Sequence, residues 1–361
     1  MKILAIETSC DDTAIALVEA SGTTSAPKFK VLKSVISSQI EVHRPWGGVV
    51  PNLAKREHIK NLPKIFDELK VKGENLKVDA VCVTVGPGLE PALWAGITFA
   101  KEIYERLKVE NKKLKLIGVN HLEGHLYSFL LSQKTVNSKS KLLITKQTKK
   151  PNPIPYPLNP TFPAIALIVS GGHTILLNMQ SPIKWKKLGE TKDDAVGESF
   201  DKVAKMLGFP YPGGPEIQRL AEKGNLNAIR FPRPMIGSKD YNFSYSGLKT
   251  SVLYYLRDNP KTKKEDVAAS FQEAALDVLV KKTERAAREY GARSIFLSGG
   301  VAANKELRRK LQVISQKLQV SFLAPPMNFN TDNAVMIAVA GYMSILRKKN
   351  RKFIADGNMG I

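Results

Sequence analysis

Two histidines four residues apart, in His121-Leu-Glu-Gly-His125, carry the strongest chemical signal in the chain. On a helix turning about 100° per residue they lie roughly 40° apart on one face, where two imidazoles can share a metal ion. Glu123 between them points about 200° away and cannot share that face. The order also excludes the zincin peptidase pattern, in which the glutamate directly follows the first histidine. A third donor is needed. Asp332 in Asn330-Thr-Asp-Asn-Ala334, at the start of a late helix, is the candidate by position and type.

Glycine pairs are the second signal. Gly171 and Gly172 in Ser170-Gly-Gly-His-Thr174, and Gly299 and Gly300 in Ser298-Gly-Gly-Val-Ala-Ala-Asn304, each follow a strand-like apolar run. Without Cβ atoms, such turns let backbone amides approach an anion closely. Neither is a Walker loop, because no Gly-Lys-Ser/Thr follows, and neither is a dinucleotide fingerprint. In the acidic turn Thr8-Ser-Cys-Asp-Asp12, Asp11 and Asp12 suit turn geometry as well as chemistry. The crowd of Asp193, Asp194, Glu198 and Asp201 reads as a solvated helix start favoured by the helix dipole. Together these features suggest a metal beside a nucleotide-like anion.

The elements that must position these residues follow from hydrophobic patterning. Lys2 to Ile6 and Ala14 to Val18 read as a hairpin around the acidic turn. A helix over Asn52 to Leu69 is expected to kink or split at Pro63. A strand at Ala80 to Val85, a helix near Leu93 to Leu107 and a strand at Leu114 to Val119 then deliver His121 at a helix start. Ala164 to Val169, the Ser170-Gly-Gly172 turn and Thr174 to Leu177 repeat the opening pattern, so the halves read as duplicates. This predicts an α/β chain with two mixed sheets covered by helices.

Length agrees: 361 residues at roughly 150 per domain favour two domains. The organisation reads as a first lobe over 1–131, a Lys/Pro-rich insertion or linker over 132–163, a second lobe over 164–346 and a basic tail over 347–361. The amino terminus enters a strand at once and no stretch is apolar for about 18 residues, which predicts a cytoplasmic protein without membrane contact. Two cysteines are too few for a disulfide framework. With 55 Lys plus Arg against 33 Asp plus Glu, the net charge of +22 points to a polyanionic partner. Part of that surplus lies in segments that look flexible, Lys134 to Lys150 and Arg347 to Lys352.

A strand, short polar turn and strand opening each half is the layout of the actin, Hsp70 and sugar-kinase superfamily, whose RNase H-like domains enclose a nucleotide cleft. More specifically, the chain resembles the tRNA N6-adenosine threonylcarbamoyltransferase family, TsaD, of the bacterial type. The matching blocks are Ile6-Glu-Thr-Ser-Cys-Asp-Asp-Thr13, Gly47-Gly-Val-Val-Pro51 to His58, Gly86-Pro-Gly-Leu89, Asn120-His-Leu-Glu-Gly-His125 and Val169-Ser-Gly-Gly-His-Thr174. They continue through Asp193 to Lys202, Tyr211-Pro-Gly-Gly-Pro215, Phe243-Ser-Tyr-Ser-Gly-Leu-Lys249, Ser298 to Asn304 and Thr331-Asp-Asn333.

The resemblance implies transfer of threonylcarbamoyl from threonylcarbamoyl-adenylate to N6 of the adenosine 3′ of the anticodon in tRNAs reading ANN codons, with release of AMP. It implies that His121, His125 and Asp332 hold one divalent metal, iron in the usual description, with zinc suited to the same donors. It places the adenylate on Ile168, Val169, Ser170, Gly171 and Gly172, with Asp201, Gly214 and Asn304 in contact, and a catalytic role on Asp11. It implies tRNA, a paralogous TsaB-like subunit and a small TsaE-like ATPase as partners. Glu90-Pro91 departs from the small residues usual after Gly-Pro-Gly-Leu, and the Lys/Pro insertion has no family counterpart.

Overall fold

A computed structural model describes residues 1–69, 76–131 and 160–361, so the insertion as far as residue 159 lies outside the described residues. The opening hairpin forms as expected. β1 (Lys2–Glu7) pairs antiparallel with β2 (Asp12–Gly22), and β3 (Pro27–Ser38) extends it. One helical turn, α1 (Ile40–His43), and the long α2 (Pro51–Leu69) lead to β4 (Ala80–Gly86), parallel to β1. Next, α3 (Glu90–Lys108) connects to β5 (Lys115–Asn120), parallel to β4 and followed directly by α4 (His121–Tyr127).

The second half repeats this scheme. β6 (Ala164–Val169), β7 (Thr174–Ser181) and β8 (Lys184–Glu190) are antiparallel. Four helices follow: α5 (Val196–Met206), α6 (Gly213–Ala221), α7 (Ser246–Asp258) and α8 (Lys264–Glu289). β9 (Ser294–Ser298) lies parallel to β6, and α9 (Lys305–Leu318) leads to β10 (Ser321–Leu323), parallel to β9, before the final α10 (Ala334–Leu346). The orders β3-β2-β1-β4-β5 and β8-β7-β6-β9-β10 match strand for strand. This is the duplicated α/β architecture of the actin, Hsp70 and sugar-kinase superfamily.

Alternation within the central strands explains the layers. Leu4 and Ile6 pack with Leu62, Ile65 and Phe66 of α2, whereas Ile3 and Ala5 face α10. In β6, Ile165, Leu167 and Val169 join the core under α5 to α9, and Ala166 and Ile168 turn to the side of α10. Strands covered on both faces must read as unbroken apolar runs, as these do. The middle layer, α4 and α10, is therefore shared by the two sheets. α10 is buried from Ala334 to Ser344, which accounts for its lack of a polar stripe.

Four expectations need correction. Pro63 does not split α2, because it lies on the exposed face, where the helix can lose one N–H without leaving a buried carbonyl unpaired. Helix α3 starts at Glu90 rather than near Leu93, with Pro91 in the first turn, where a missing N–H costs nothing. Although α10 falls in the second half of the chain, it packs on β1, β2, β5 and α4 of the first. The Arg347 to Lys352 run is not loose: Arg351 donates to Glu123 at 2.7 Å, and Arg347 and Lys349 lie 3.6 and 3.5 Å from the same carboxylate. Among the described residues, no helix is long and apolar enough to cross a membrane.

Candidate metal centre and cleft

At the end of β5 the Asn120 side chain accepts the Glu123 N–H at 3.1 Å, capping α4 so that His121 is its first residue. Gly124 then lets α10 come close: a Cβ there would meet Met336 Cγ and Ile337 Cδ1 at 3.1 Å. Asn333 caps α10 by accepting the Met336 N–H at 2.9 Å, which leaves Asp332 one residue ahead of the cap and aimed at α4. Its Oδ1 lies 3.4 Å from His121 Nε2 and 3.2 Å from His125 Nε2. One donor atom from each of the three lies within 4.8 Å of the others.

These residues fit a metal. His125 is fully buried, and among the described residues only the Asp332 carboxylate faces its Nε2, which leaves that nitrogen placed to be a ligand. Two imidazoles and a carboxylate suit a divalent transition ion. Glu123 sits 1% exposed on the other side of α4, held by the Arg351 contact, so it takes no part, as the helical spacing requires.

Glu7, which sequence reasoning missed, completes the centre from below. Its Oε2 lies 3.1 Å from His121 Nδ1 and accepts the Thr84 hydroxyl at 2.7 Å. With Nδ1 turned to that carboxylate, Nε2 is left for Asp332, the arrangement that fixes a metal-binding imidazole in orientation and tautomer. Burial alone would raise the Glu7 carboxyl, but the adjacent His121 holds it below the ordinary value. Burial likewise opposes charge on His121, yet the carboxylates of Asp332 and Glu7 raise it to about 9. Glu7→Gln keeps the volume and removes the charge, and metal affinity is expected to fall by about 10- to 100-fold in chelator competition. Unchanged affinity would remove Glu7 from this role.

The second lobe carries its glycine turns at the ends of β6 and β9. Burial, with the neighbouring charges of His121 and His125 adding to it, pushes His173 in the Ser170 to Thr174 turn down to about 4. The turn closes through Ser170 N–H to the His173 carbonyl at 2.8 Å and rests on α5, where a Cβ on Gly197 would collide with the Ser170 carbonyl. Open space lies where Gly171 and Gly172 would carry a Cβ, so their smallness serves nothing inside the protein. Gly299 differs: at φ 94° its Cβ would strike the Val169 carbonyl, so the turn after β9 is pressed against the end of β6. Ile168 and Val169 are fully buried, backbone included, so the first exposed part of this block is the Gly171-Gly172 turn.

The remaining sequence candidates of the second half lie on or at the starts of α5, α6 and α9. Asp201 on α5 accepts the Gly213 and Gly214 N–H groups at 2.7 and 3.3 Å, and the site of a Gly214 Cβ is open. Asn304 caps α9 through Leu307 N–H at 2.9 Å and donates to Gln272 at 2.8 Å. Across the gap, Tyr211 donates its hydroxyl to Asp11 Oδ2 at 3.0 Å. Burial, with the charges of Asp332, Asp11 and Glu7 adding to it, lifts Asp12 to about 7.

In the acidic crowd near Asp193, Asp193 is exposed and Glu198 lies in the first turn of α5, as a solvated helix start requires, but the first two carboxylates also have fixed partners. Asp193 accepts from Ser244 and Ser246 hydroxyls, both at 2.6 Å, and Asp194 pairs with Lys249 at 2.6 Å and Lys202 at 2.8 Å. The two carboxylates tie the Phe243 to Lys249 block to α5. The sequence gives each block its motif but not its partner.

Comparison with known proteins adds to this geometry. The model of the family described as TsaD: tRNA N6-adenosine threonylcarbamoyltransferase matches residues 30–142 and 152–339. A tRNA N6-adenosine threonylcarbamoyltransferase of Thermosipho melanesiensis is 48% identical over 345 residues, covering 95% of this chain and 94% of that protein. The protein of the same name in Thermosipho africanus is 46% identical over 348 residues, with 95% and 94% covered. Among solved structures, HypF of T. kodakarensis aligns with a TM-score of 0.57 at 14% identity over 98% of this chain and 49% of that one, a likeness of fold alone.

Proposed function

The chain belongs to the tRNA N6-adenosine threonylcarbamoyltransferase family, TsaD, and is a transferase acting on tRNA; on that premise we propose how its cleft carries the reaction. The donor is threonylcarbamoyl-adenylate. The acceptor is the N6 amine of the adenosine 3′ of the anticodon in tRNAs reading ANN codons. The new bond joins N6 to the carbamoyl carbon, the bond from that carbon to the phosphate oxygen breaks, AMP leaves, and N6 gives up one proton.

His121, His125 and Asp332 would hold a divalent ion, iron or the equally suited zinc, and bound there it supplies Lewis-acid polarisation of the transferred carbonyl. The observation that carries this reading is the convergence of those three side chains from α4 and from ahead of α10. The Ser170 to Gly172 turn offers backbone to the adenylate phosphate, and the open faces of Gly171, Gly172 and Gly214 leave it room. Asp201 Oδ1 is engaged by two amides, so its second oxygen is the one to receive a nucleoside hydroxyl. The Asn304 side chain is committed to its cap and to Gln272, and it serves the nucleotide by shaping the turn that begins at Ser298. Asp11 orients the amine and takes its proton.

The net charge of +22 suits a partner as anionic as tRNA. A TsaB-like paralogue and a TsaE-like ATPase complete the working assembly, in the cytoplasm. The direct test supplies the chain and these partners with threonylcarbamoyl-adenylate and unmodified tRNA, then reads the nucleosides by mass spectrometry. Threonylcarbamoyladenosine is expected. Unmodified adenosine alone, from folded and metal-loaded protein, would sink the reading.

A further inference from the structure

The Gly47-Gly-Val-Val-Pro51 to His58 block has no part in the cleft so far, yet it is tied to the Asp11 turn by four buried side chains. His58 Nε2 lies 3.0 Å from the Cys10 carbonyl, which can only accept, so that nitrogen carries the proton. Nδ1 is then an acceptor, facing the Thr13 hydroxyl at 2.8 Å and the Gln39 amide nitrogen at 3.1 Å. Gln39 Oε1 in turn accepts a hydrogen bond from His43 Nε2 at 3.1 Å, and His43 Nδ1 accepts the Val50 N–H at 3.3 Å. Every donor meets an acceptor in one consistent direction. Burial pushes both imidazoles down, which keeps them in the neutral form this pattern requires.

The relay reaches the cleft at two points. The main-chain N–H of Gln39 donates to the Asp11 carbonyl at 2.9 Å, so the carbonyls of Cys10 and Asp11 are both fixed by it. Next to His43, Arg44 Nε donates to the Tyr211 carbonyl at 3.3 Å, while the Tyr211 hydroxyl donates to Asp11 itself. One second-lobe residue thus touches both ends of a first-lobe network. Thr13, Gln39, His43 and His58 are all fully buried, where an apolar core would hold α2 on the sheet without such exact pairing.

We infer that Thr13, Gln39, His43 and His58 are positioning residues that hold the Asp11 turn, through a buried relay of fixed polarity, in register with Tyr211 of the second lobe. The inference rests on the reading of Asp11 as the group that handles the amine. A staple that merely stabilised the fold would lower thermal stability and leave the turnover of folded protein alone.

The test measures kcat, KM for tRNA, metal content and melting temperature on the full chain with its partners, donor and tRNA. For His58→Ala, kcat is expected to fall about 100-fold, the scale of a misplacement near 1 Å, with metal content unchanged. KM is expected to stay within about twofold. His58→Gln can still donate to the Cys10 carbonyl and is expected to recover about tenfold of that loss. Because the relay acts through Asp11, Asp11→Ala combined with His58→Ala should be no slower than Asp11→Ala alone. Losses that multiply, or native kcat in His58→Ala beside a slow Asp11→Ala, overturn the relay. Native turnover in Asp11→Ala by itself overturns the reading of Asp11, and the relay's purpose with it. Should His58→Ala not fold, Thr13→Val removes one hydroxyl at equal volume: a drop of about tenfold supports the relay and native kcat overturns it.

Discussion

His125→Ala is expected to retain no metal through purification and to lose about a thousandfold or more in transfer. Three donors converge from α4 and from the turn ahead of α10, and no fourth histidine, cysteine, aspartate or glutamate joins the group among the described residues. Removing one imidazole leaves a histidine and a carboxylate, too few to hold a labile divalent ion against buffer. If polarisation contributes several kcal/mol to the transition state, its loss converts to about three decades of rate. The substitution also opens a void beside α10, so folding must be followed separately by thermal denaturation. Asp332→Asn is the companion that leaves no void: the charge goes and the shape stays. Metal analysis of both variants decides the matter. A native ion content with native transfer in either would detach the three residues from the chemistry.

The metal centre was legible because its signal is local and periodic. Two histidines at helical spacing share a face whatever surrounds them, and Asp332 stands beside the helix-capping Asn333. The duplicated sheets were legible for a similar reason, since each half opens with the same strand, turn and strand. Glu7 was not, because it meets His121 across 114 residues of chain and looks like the polar end of an apolar strand. The relay was hidden the same way: His58 lies on the amphipathic α2, and nothing in the local pattern around Gln39 and His43 shows that the fold buries them. The basic tail misled because a run of charge is usually solvated. A carboxylate as buried as that of Glu123 demands cations, and the tail supplies them. An all-apolar helix such as α10 announces burial but not which sheet it covers.

Asp11→Ala is expected to keep its metal and bind the adenylate, yet lose transfer by about 10²- to 10⁴-fold, the range of a positioned general base. The exocyclic amine of adenine shares its lone pair with the ring, so attack on the carbamoyl carbon is slow until the proton has somewhere to go. Asp11 stands at the turn between β1 and β2, and one of its oxygens is engaged by Tyr211. On the proposed reading, the other would be the one to meet the amine. Asp12 is the rival, since its Oδ1 is buried without a hydrogen-bond partner and its carboxyl is raised to about 7. The pH dependence of the rate tests Asp12. A base with that value is protonated and idle below pH 7, so a rate carried by Asp12 would climb about tenfold per pH unit toward 7 and then level. Asp12→Asn would abolish that limb. If it does, while Asp11→Ala turns over normally, the proton belongs to Asp12, and the Tyr211 contact serves only to hold the lobes together.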